Sequence, residues 1–318
     1  MSTNLPLTTT GPDLSTTLPT FAAEDPGSWQ YLFDRIRAAD ASGVDRVVVS
    51  DHVVYGENLD AYSKPELGGV AGGKQPTGPD GHWLEPLTVL SIASGMTTRV
   101  RLGTNILIAA LRRPVVLAKS TSTLDVLSGG RLDLGVGVGW QREEYTAAGL
   151  DFDGRGRLLD HTLEVLQTLW REQRAQYSSN ELSFDAIHMQ PKPVQPTGVP
   201  VWVSGTINAR MLSRLTRFGS GWIPWGASAS ALASSVEQVR EALEAAGRDP
   251  KAIGIVANLP TVRGDDGKPD VDRTLAGAPA LIAAGGTDIR FNLPIPSGLN
   301  AATDYLSDVV QRYRAVVA

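Results

Sequence analysis

The sequence predicts a (β/α)8 barrel. Eight short apolar or β-branched runs recur along the chain, and a stretch with helical spacing follows each of them. The length of 318 residues suits one large barrel or two ordinary domains, and eight β–α units favour the barrel. The expected strands are 14–18, 47–50, 100–109, 132–138, 201–204, 222–225, 253–259 and 289–293. Strands covered on both faces are continuously apolar, and Val47-Val48-Val49 fits that rule.

The expected helices cover about 27–41, 85–97, 114–127, 155–171, 207–218, 229–247, 272–284 and 300–316. Asp25-Pro26 reads as an N-cap with proline in the first turn. After it, Trp29, Leu32, Phe33 and Ile36 fall on one apolar stripe. Pro86 and Pro114 stand just inside two further helix starts. Ser128-Gly129-Gly130 ends the third helix, with glycine free to take a left-handed cap. Leu159, Leu163, Leu166 and Trp170 form another stripe.

Two insertions break the rhythm of what reads as one domain over 1–318. Residues 53–83 are rich in Gly, Pro and polar side chains. They follow the second strand, so they are expected as a structureless lid or binding loop on the active-site face. Residues 172–199 contain Pro191, Pro193 and Pro196, follow a helix, and are expected to form a small hairpin starting from the opposite face.

Composition removes whole classes of chemistry. With no cysteine there is no disulfide scaffold, zinc–thiolate site, iron–sulfur cluster or thiol nucleophile. A net charge of −5 argues against general nucleic-acid binding. Residues 1–10 show neither a basic nor an apolar leader pattern, and no apolar run reaches the roughly 18 residues that cross a bilayer. A cytoplasmic enzyme or binding protein with no membrane contact is expected. His-x-His, His-Glu-x-x-His and Gly-x-Ser-x-Gly are all missing, so no metal site and no serine-hydrolase elbow is expected.

Several short motifs sit where barrel chemistry is done. Ser50-Asp51-His52 follows the valine run, at the C-terminal end of the second strand. A histidine there can exchange a proton near neutral pH. The same pair can equally tie the next loop to the rim. Gly135-Val136-Gly137-Val138-Gly139-Trp140 is not a dinucleotide fingerprint, because Trp140 stands where the third glycine belongs. Its glycines either let a flat ring approach the backbone or close the barrel tightly. Ser204-Gly205-Thr206 opens a helix with small residues that expose N–H groups to an anion, and Trp225-Gly226-Ala227 can add another such group. Glu143-Glu144 reads as a solvated helix start, and His161 and His188 are isolated. His82-Trp83 borders the long insertion, while Arg112-Arg113 either meets an anionic cofactor tail or covers the rim.

Together these motifs form a recognisable set. Gly43-Val44-Asp45, Ser50-Asp51-His52, Arg101-Leu102-Gly103-Thr104-Asn105-Ile106-Leu107, Arg113-Pro114, Leu127-Ser128-Gly129-Gly130-Arg131-Leu132 and the 135–140 glycine run with Glu143-Glu144-Tyr145 carry it. On them the chain resembles the bacterial luciferase-like oxidoreductase family, and within it the branch that uses the deazaflavin F420. The resemblance implies a (β/α)8 barrel with the cofactor ring at its C-terminal mouth. It implies that Asp51 and His52 lie beside the ring, with His52 exchanging the proton that accompanies hydride transfer. It implies a cis peptide at Asn105–Ile106 forming a bulge against the ring, with Gly137, Val138 and Gly139 over it. Ser204, Gly205 and Thr206 match the phosphate turn, and Trp225, Gly226 and Ala227 its neighbour. A homodimer is also implied.

One departure narrows the substrate. Sugar-phosphate dehydrogenases of this family carry an acid where Trp140 stands and a basic residue after the sixth strand, and none lies between Ile223 and Val236. Tyr55, Trp83, Trp140 and Trp225 point instead to a small apolar or aromatic substrate. The expectation is an F420-dependent oxidoreductase. Its alternatives are an FMNH2-dependent monooxygenase, using FMN in place of F420, and a non-catalytic flavin-binding barrel.

Overall fold

The computed structural model describes residues 11–318, so the leader reading of residues 1–10 lies outside it. Eight parallel strands close a barrel in sequence order: β1 (Asp13–Thr17), β2 (Arg46–Val49), β3 (Arg101–Thr104), β4 (Leu132–Val136), β5 (Val201–Gly205), β6 (Gly219–Pro224), β7 (Gly254–Leu259) and β8 (Asp288–Phe291). The ring closes where Leu14 pairs with Ile289 on one side and Thr16 with Val47 on the other. Val47, Val48 and Val49 are all buried, as strands with helices outside and side chains inside require.

The outer helices are α1 (Gln30–Ser42), α2 (Pro86–Met96), α3 (Pro114–Leu127), α4 (Arg142–Ala147), α5 (Arg155–Arg171), α6 (Ala209–Phe218), α7 (Leu232–Ala245) and α8 (Leu299–Val317), with shorter helices between some of them. Prolines open α2 and α3, and Gly129 and Gly130 take left-handed conformations after α3. The α5 stripe of Leu159, Leu163, Leu166 and Trp170 is buried throughout.

Local chemistry explains where the elements differ from expectation. The first helix starts at Gln30, because Asp25 turns back to accept from the Gly27 N–H at 2.9 Å and caps its own turn instead. The third strand stops at Thr104, and the peptide that follows, Asn105–Ile106, is cis. The expected helix 272–284 divides into Val271–Leu275 and Ala278–Ala283, since Pro279 has no N–H to continue the ladder. A separate turn, Ala227–Ser230, precedes α7.

The 53–83 segment is not structureless. It holds two 3-10 turns, Leu59–Ser63 and Pro65–Leu67, and His82–Trp83 pairs antiparallel with Phe21–Ala22. In the 172–199 segment, Ala175–Ser178 pairs with Ser183–Ile187 as a hairpin.

At the N-terminal ends of the strands the barrel encloses charge rather than oil. Arg46 meets Asp133 at 2.9 Å, Asp13 at 3.2 Å and Asp288, and lies 4.7 Å over the Trp202 ring. Arg101 joins Asp133 at 2.7 Å. Burial alone would raise the Asp133 carboxyl, but Arg101 and Arg46 outweigh it and hold the group at about 2. Trp202 has room because β6 and β7 offer glycine: a Cβ at Gly221 or Gly254 would lie 2.2 or 2.3 Å from its indole. Among the described residues no helix is long and apolar enough to cross a membrane, and no group of three or more metal-ligating side chains assembles.

Candidate active site

The C-terminal strand ends surround a cavity of about 870 Å³, within the size range of small-molecule sites. Its walls come from 50–52 after β2, Asn105 and Ile106 after β3, 137–140 after β4, 204–206 around the end of β5, and Trp225 after β6. The 53–83 segment roofs it with Tyr62, Pro65, Glu66, Gly68, Gly69, Gln75, Pro76 and Trp83.

His52 stands in an aromatic enclosure. Its ring lies 4.4 Å from Tyr55, 4.8 Å from Trp83 edge-on and 5.8 Å from Trp140 edge-on, centroid to centroid. Trp83 stacks on Phe21 at 4.4 Å and donates from Nε1 to Thr77 Oγ1 at 3.0 Å. The Tyr55 hydroxyl donates to Gln75 Oε1 at 3.0 Å. Burial, with the Glu144 charge adding to it, pushes the Tyr55 phenol well above its ordinary range, so it remains a neutral donor.

Glu144 corrects the reading of 143–144 as a solvated helix start. Glu144 is 1% exposed, accepts from the Val53 N–H at 2.8 Å, and places Oε1 3.3 Å from His52 Nδ1. One turn of α4 carries it back beneath the mouth, while Glu143 stays partly exposed against Gly56. The available sequence signal was position alone: Glu144 lies four residues, about one turn, beyond Trp140 at a strand end.

Asp51 is turned to a different partner. Arg112 grips both its oxygens, with Nη2 to Oδ1 at 2.9 Å, and Oδ2 also accepts from the Ile108 N–H at 2.8 Å. Arg112 reaches Glu85 as well, at 3.1 Å. Burial works against the Arg112 charge, but Asp51 and Glu85 outweigh it and keep the guanidinium protonated. Arg112 therefore braces the segment after β3 through Asp51, a job neither sequence reading gave it.

The glycine run also has a local explanation. A Cβ at Gly135 would lie 1.9 Å from the Thr104 carbonyl oxygen, and one at Gly137 would lie 2.9 Å from the Ile106 side chain. Gly139 has φ +67°. The chain itself occupies the space a side chain would take, so close packing of β4 against the segment after β3 is reason enough for Gly135 and Gly137.

The far end of the cavity suits an anion. Ser204, Gly205 and Thr206 lead into α6, where Asn208 caps by accepting from the Met211 N–H at 3.0 Å. The positive end of this ten-residue helix faces the cavity beside Arg210. Arg155, the first residue of α5, also lines the cavity; it lies 3.8 Å over Phe152 and donates to the Leu67 carbonyl at 3.2 Å. These two arginines were invisible in the sequence, since a cation at a helix start has the look of a solvated one.

Of the expected site residues, Asp51, His52, Asn105, Ile106, Gly137, Val138, Gly139, Ser204, Gly205, Thr206, Trp225, Trp83 and Trp140 line one cavity. Tyr55 reaches it through His52. Gly226 and Ala227 do not line it: Gly226 sits behind Thr206, whose hydroxyl donates to the Trp225 carbonyl at 3.0 Å. His161 is engaged elsewhere with Tyr177, and His188 is exposed.

Comparison with known proteins agrees with this architecture. An uncharacterized protein of Mycobacterium tuberculosis is 32% identical over 219 residues, 69% of this chain and 73% of the relative. A phthiodiolone/phenolphthiodiolone dimycocerosates ketoreductase of Mycobacterium kansasii is 28% identical over 272 residues, 83% of this chain and 73% of the relative. The fold matches a monooxygenase from Streptomyces bottropensis with TM-score 0.72 and 20% identity, covering 95% of this chain and 99% of that one. It matches an F420-dependent secondary alcohol dehydrogenase, solved with an F420–acetone adduct, with TM-score 0.73 and 16% identity, covering 96% and 99%. The luciferase-like monooxygenase family model matches residues 8–273. With most of the chain under that model and the barrel mouth built as described, the chain belongs to the luciferase-like monooxygenase family.

Proposed function

We propose that this chain is an oxidoreductase that transfers a hydride between the deazaflavin F420 and a small apolar or aromatic organic substrate. The observation that carries the reading is His52, a proton-exchanging side chain held inside an aromatic enclosure at the wall of the cavity. The residues fit a deazaflavin or flavin. The cavity is large enough for a tricyclic ring with a phosphorylated side chain, and its far end offers helix N–H groups beside Arg210 and Arg155. Ser204, Gly205 and Thr206 would hold the phosphate, and Asn105, Ile106, Gly137, Val138 and Gly139 would face the ring. The bound cofactor supplies the hydride chemistry.

The chain's own residues do the rest. His52 gives or takes the proton at the substrate. Tyr55, Trp83 and Trp140 orient an apolar substrate and exclude water. The roof over 53–83 acts as the lid. The expected homodimer and cytoplasmic location belong to the same reading, and sedimentation tests the former.

Titrating the purified protein with F420 and FMN side by side tests the cofactor. Tighter F420 binding is expected, and clear preference for FMN overturns the assignment. His52→Ala is expected to lower turnover about 100-fold or more, the usual contribution of acid–base catalysis, and unchanged turnover removes His52 from the mechanism. The second reading, an FMNH2-dependent monooxygenase, is favoured by the structural match to the Streptomyces bottropensis enzyme. Substrate-coupled oxygen consumption decides for it.

A further inference from the structure

We propose that Glu144 is a positioning residue for His52: it fixes the imidazole in the tautomer with Nδ1 protonated and leaves Nε2 as the nitrogen open to the cavity. The inference rests on the proton role proposed for His52, although the tautomer itself is a property of the protein alone. His52 Nδ1 and Glu144 Oε1 lie 3.3 Å apart, with side chains 9% and 0% exposed. The Val53 N–H fixes Oε1 at 2.8 Å, and Val53 follows His52 in the chain. One carboxylate thus holds the backbone after the histidine and faces its ring.

Two buried polar atoms here have no aligned hydrogen-bond partner, His52 Nδ1 and Glu144 Oε2. A buried orphan donor or acceptor is costly, and a small rotation of the ring toward the carboxylate satisfies Nδ1. Among the described residues, the polar neighbours on the packed elements are otherwise engaged. Asp51 is committed to Arg112, and Tyr55 is a neutral phenol bonded to Gln75. Trp83 and Trp140 carry no charge, and Glu143 lies against Gly56. Which ring nitrogen keeps the proton is set by the bond the other makes, so a carboxylate at Nδ1 selects Nδ1–H.

The chemical consequence is definite. Neutral His52 presents the Nε2 lone pair. His52 Nε2 would then take a proton from the substrate in the oxidising direction and return it in the reducing one, a bound deazaflavin would supply the hydride chemistry, and the Nδ1–H bond would stay in place in both.

The test is 15N NMR of histidine-labelled, cofactor-free protein. The chain has four histidines, so His52 is assigned by the signal lost in His52→Gln. The expected neutral form has a protonated Nδ1 and an unprotonated Nε2. Glu144→Leu is expected to shift His52 toward the Nε2–H tautomer, while Glu144→Gln keeps Nδ1–H because its amide oxygen still accepts. With F420 and substrate, Glu144→Leu is expected to lower kcat about 10–100-fold with KM changed far less, and Glu144→Gln is expected to recover much of the loss. An Nε2–H tautomer in the unmodified protein overturns the proposal. An unchanged tautomer in a folded Glu144→Leu protein also overturns it. If the tautomer responds as expected while His52→Ala keeps full turnover, the positioning stands and the proton role of His52 falls.

Discussion

Both ends of this barrel bury charge, but they finish the job differently. At the N-terminal ends of the strands, Arg46 is clasped by Asp13, Asp133 and Asp288, and Asp133 is shared with Arg101. At the C-terminal ends, His52 and Glu144 face each other at 3.3 Å with a polar atom of each left unpartnered. The first arrangement spends its charges on one another. The second keeps an imidazole at the wall of a cavity. The N-terminal cluster has its own loose end: Arg290 donates to Ser15 Oγ at 3.1 Å and meets Asp288 at 3.5 Å, yet one of its guanidinium nitrogens is unpartnered, so what separates the two ends is the cavity beside His52.

The largest expected effect lies at the lower end. Asp133→Asn leaves Arg46 and Arg101 facing one another with less compensation, and is expected to cost about 3–5 kcal/mol in urea unfolding. F420 affinity should change little, and a large affinity loss with small destabilisation would reverse the roles assigned to the two ends. Acid gives a smaller effect at the same place. The folded Asp133 group sits at about 2 against an ordinary 3.8, so its contribution is complete above pH 3.8 and lost as pH falls through 2. The loss is about 2 kcal/mol, read from Tm between pH 4 and pH 2 and missing in Asp133→Asn. The smallest effect is expected at the mouth. Glu144→Gln keeps the Val53 bond through its amide oxygen and removes an incompletely paired buried charge, so stability should stay within about 1 kcal/mol. Destabilisation approaching that of Asp133→Asn would make the mouth pair structural after all.

The barrel was legible in the sequence because its elements are punctuated. Pro114 and Ser128-Gly129-Gly130 bracket α3, and the expected 114–127 and 155–171 helices coincide with α3 and α5. Asp25 misled because an aspartate before proline caps a turn as readily as a helix. The site was legible in part. His52, Trp140 and the segment after β3 lie at barrel strand ends, where the fold brings side chains to the mouth, and Trp83 was found only because it borders the long insertion. Glu144, Arg112, Arg155 and Arg210 were not assigned their places, since each is a charged residue at or near a helix start. Only closure of the barrel decides whether such a residue meets water or a partner. For the glycines two reasons stood open in the sequence, and the close approach of the neighbouring strand at 1.9 and 2.9 Å, which only register reveals, supplies the tight-closure one for Gly135 and Gly137.

The roof has a consequence for how this enzyme can diversify. The bonds that hold it from outside end on its backbone: Trp225 donates to the Gly68 and Gly69 carbonyls at 3.1 and 3.3 Å, Arg155 to Leu67 at 3.2 Å, Gln141 to Gly56 at 3.4 Å, and Glu144 accepts from Val53. A latch that grips main chain is indifferent to most of the side chains it closes over. Glu66, which carries none of these bonds, can be exchanged by drift or in a mutant library while the latch persists, whereas Tyr62 packs on Trp140 and Trp225 and Gln75 holds the Tyr55 hydroxyl. The roof can thus vary part of its side-chain lining while its main chain stays latched to the barrel mouth.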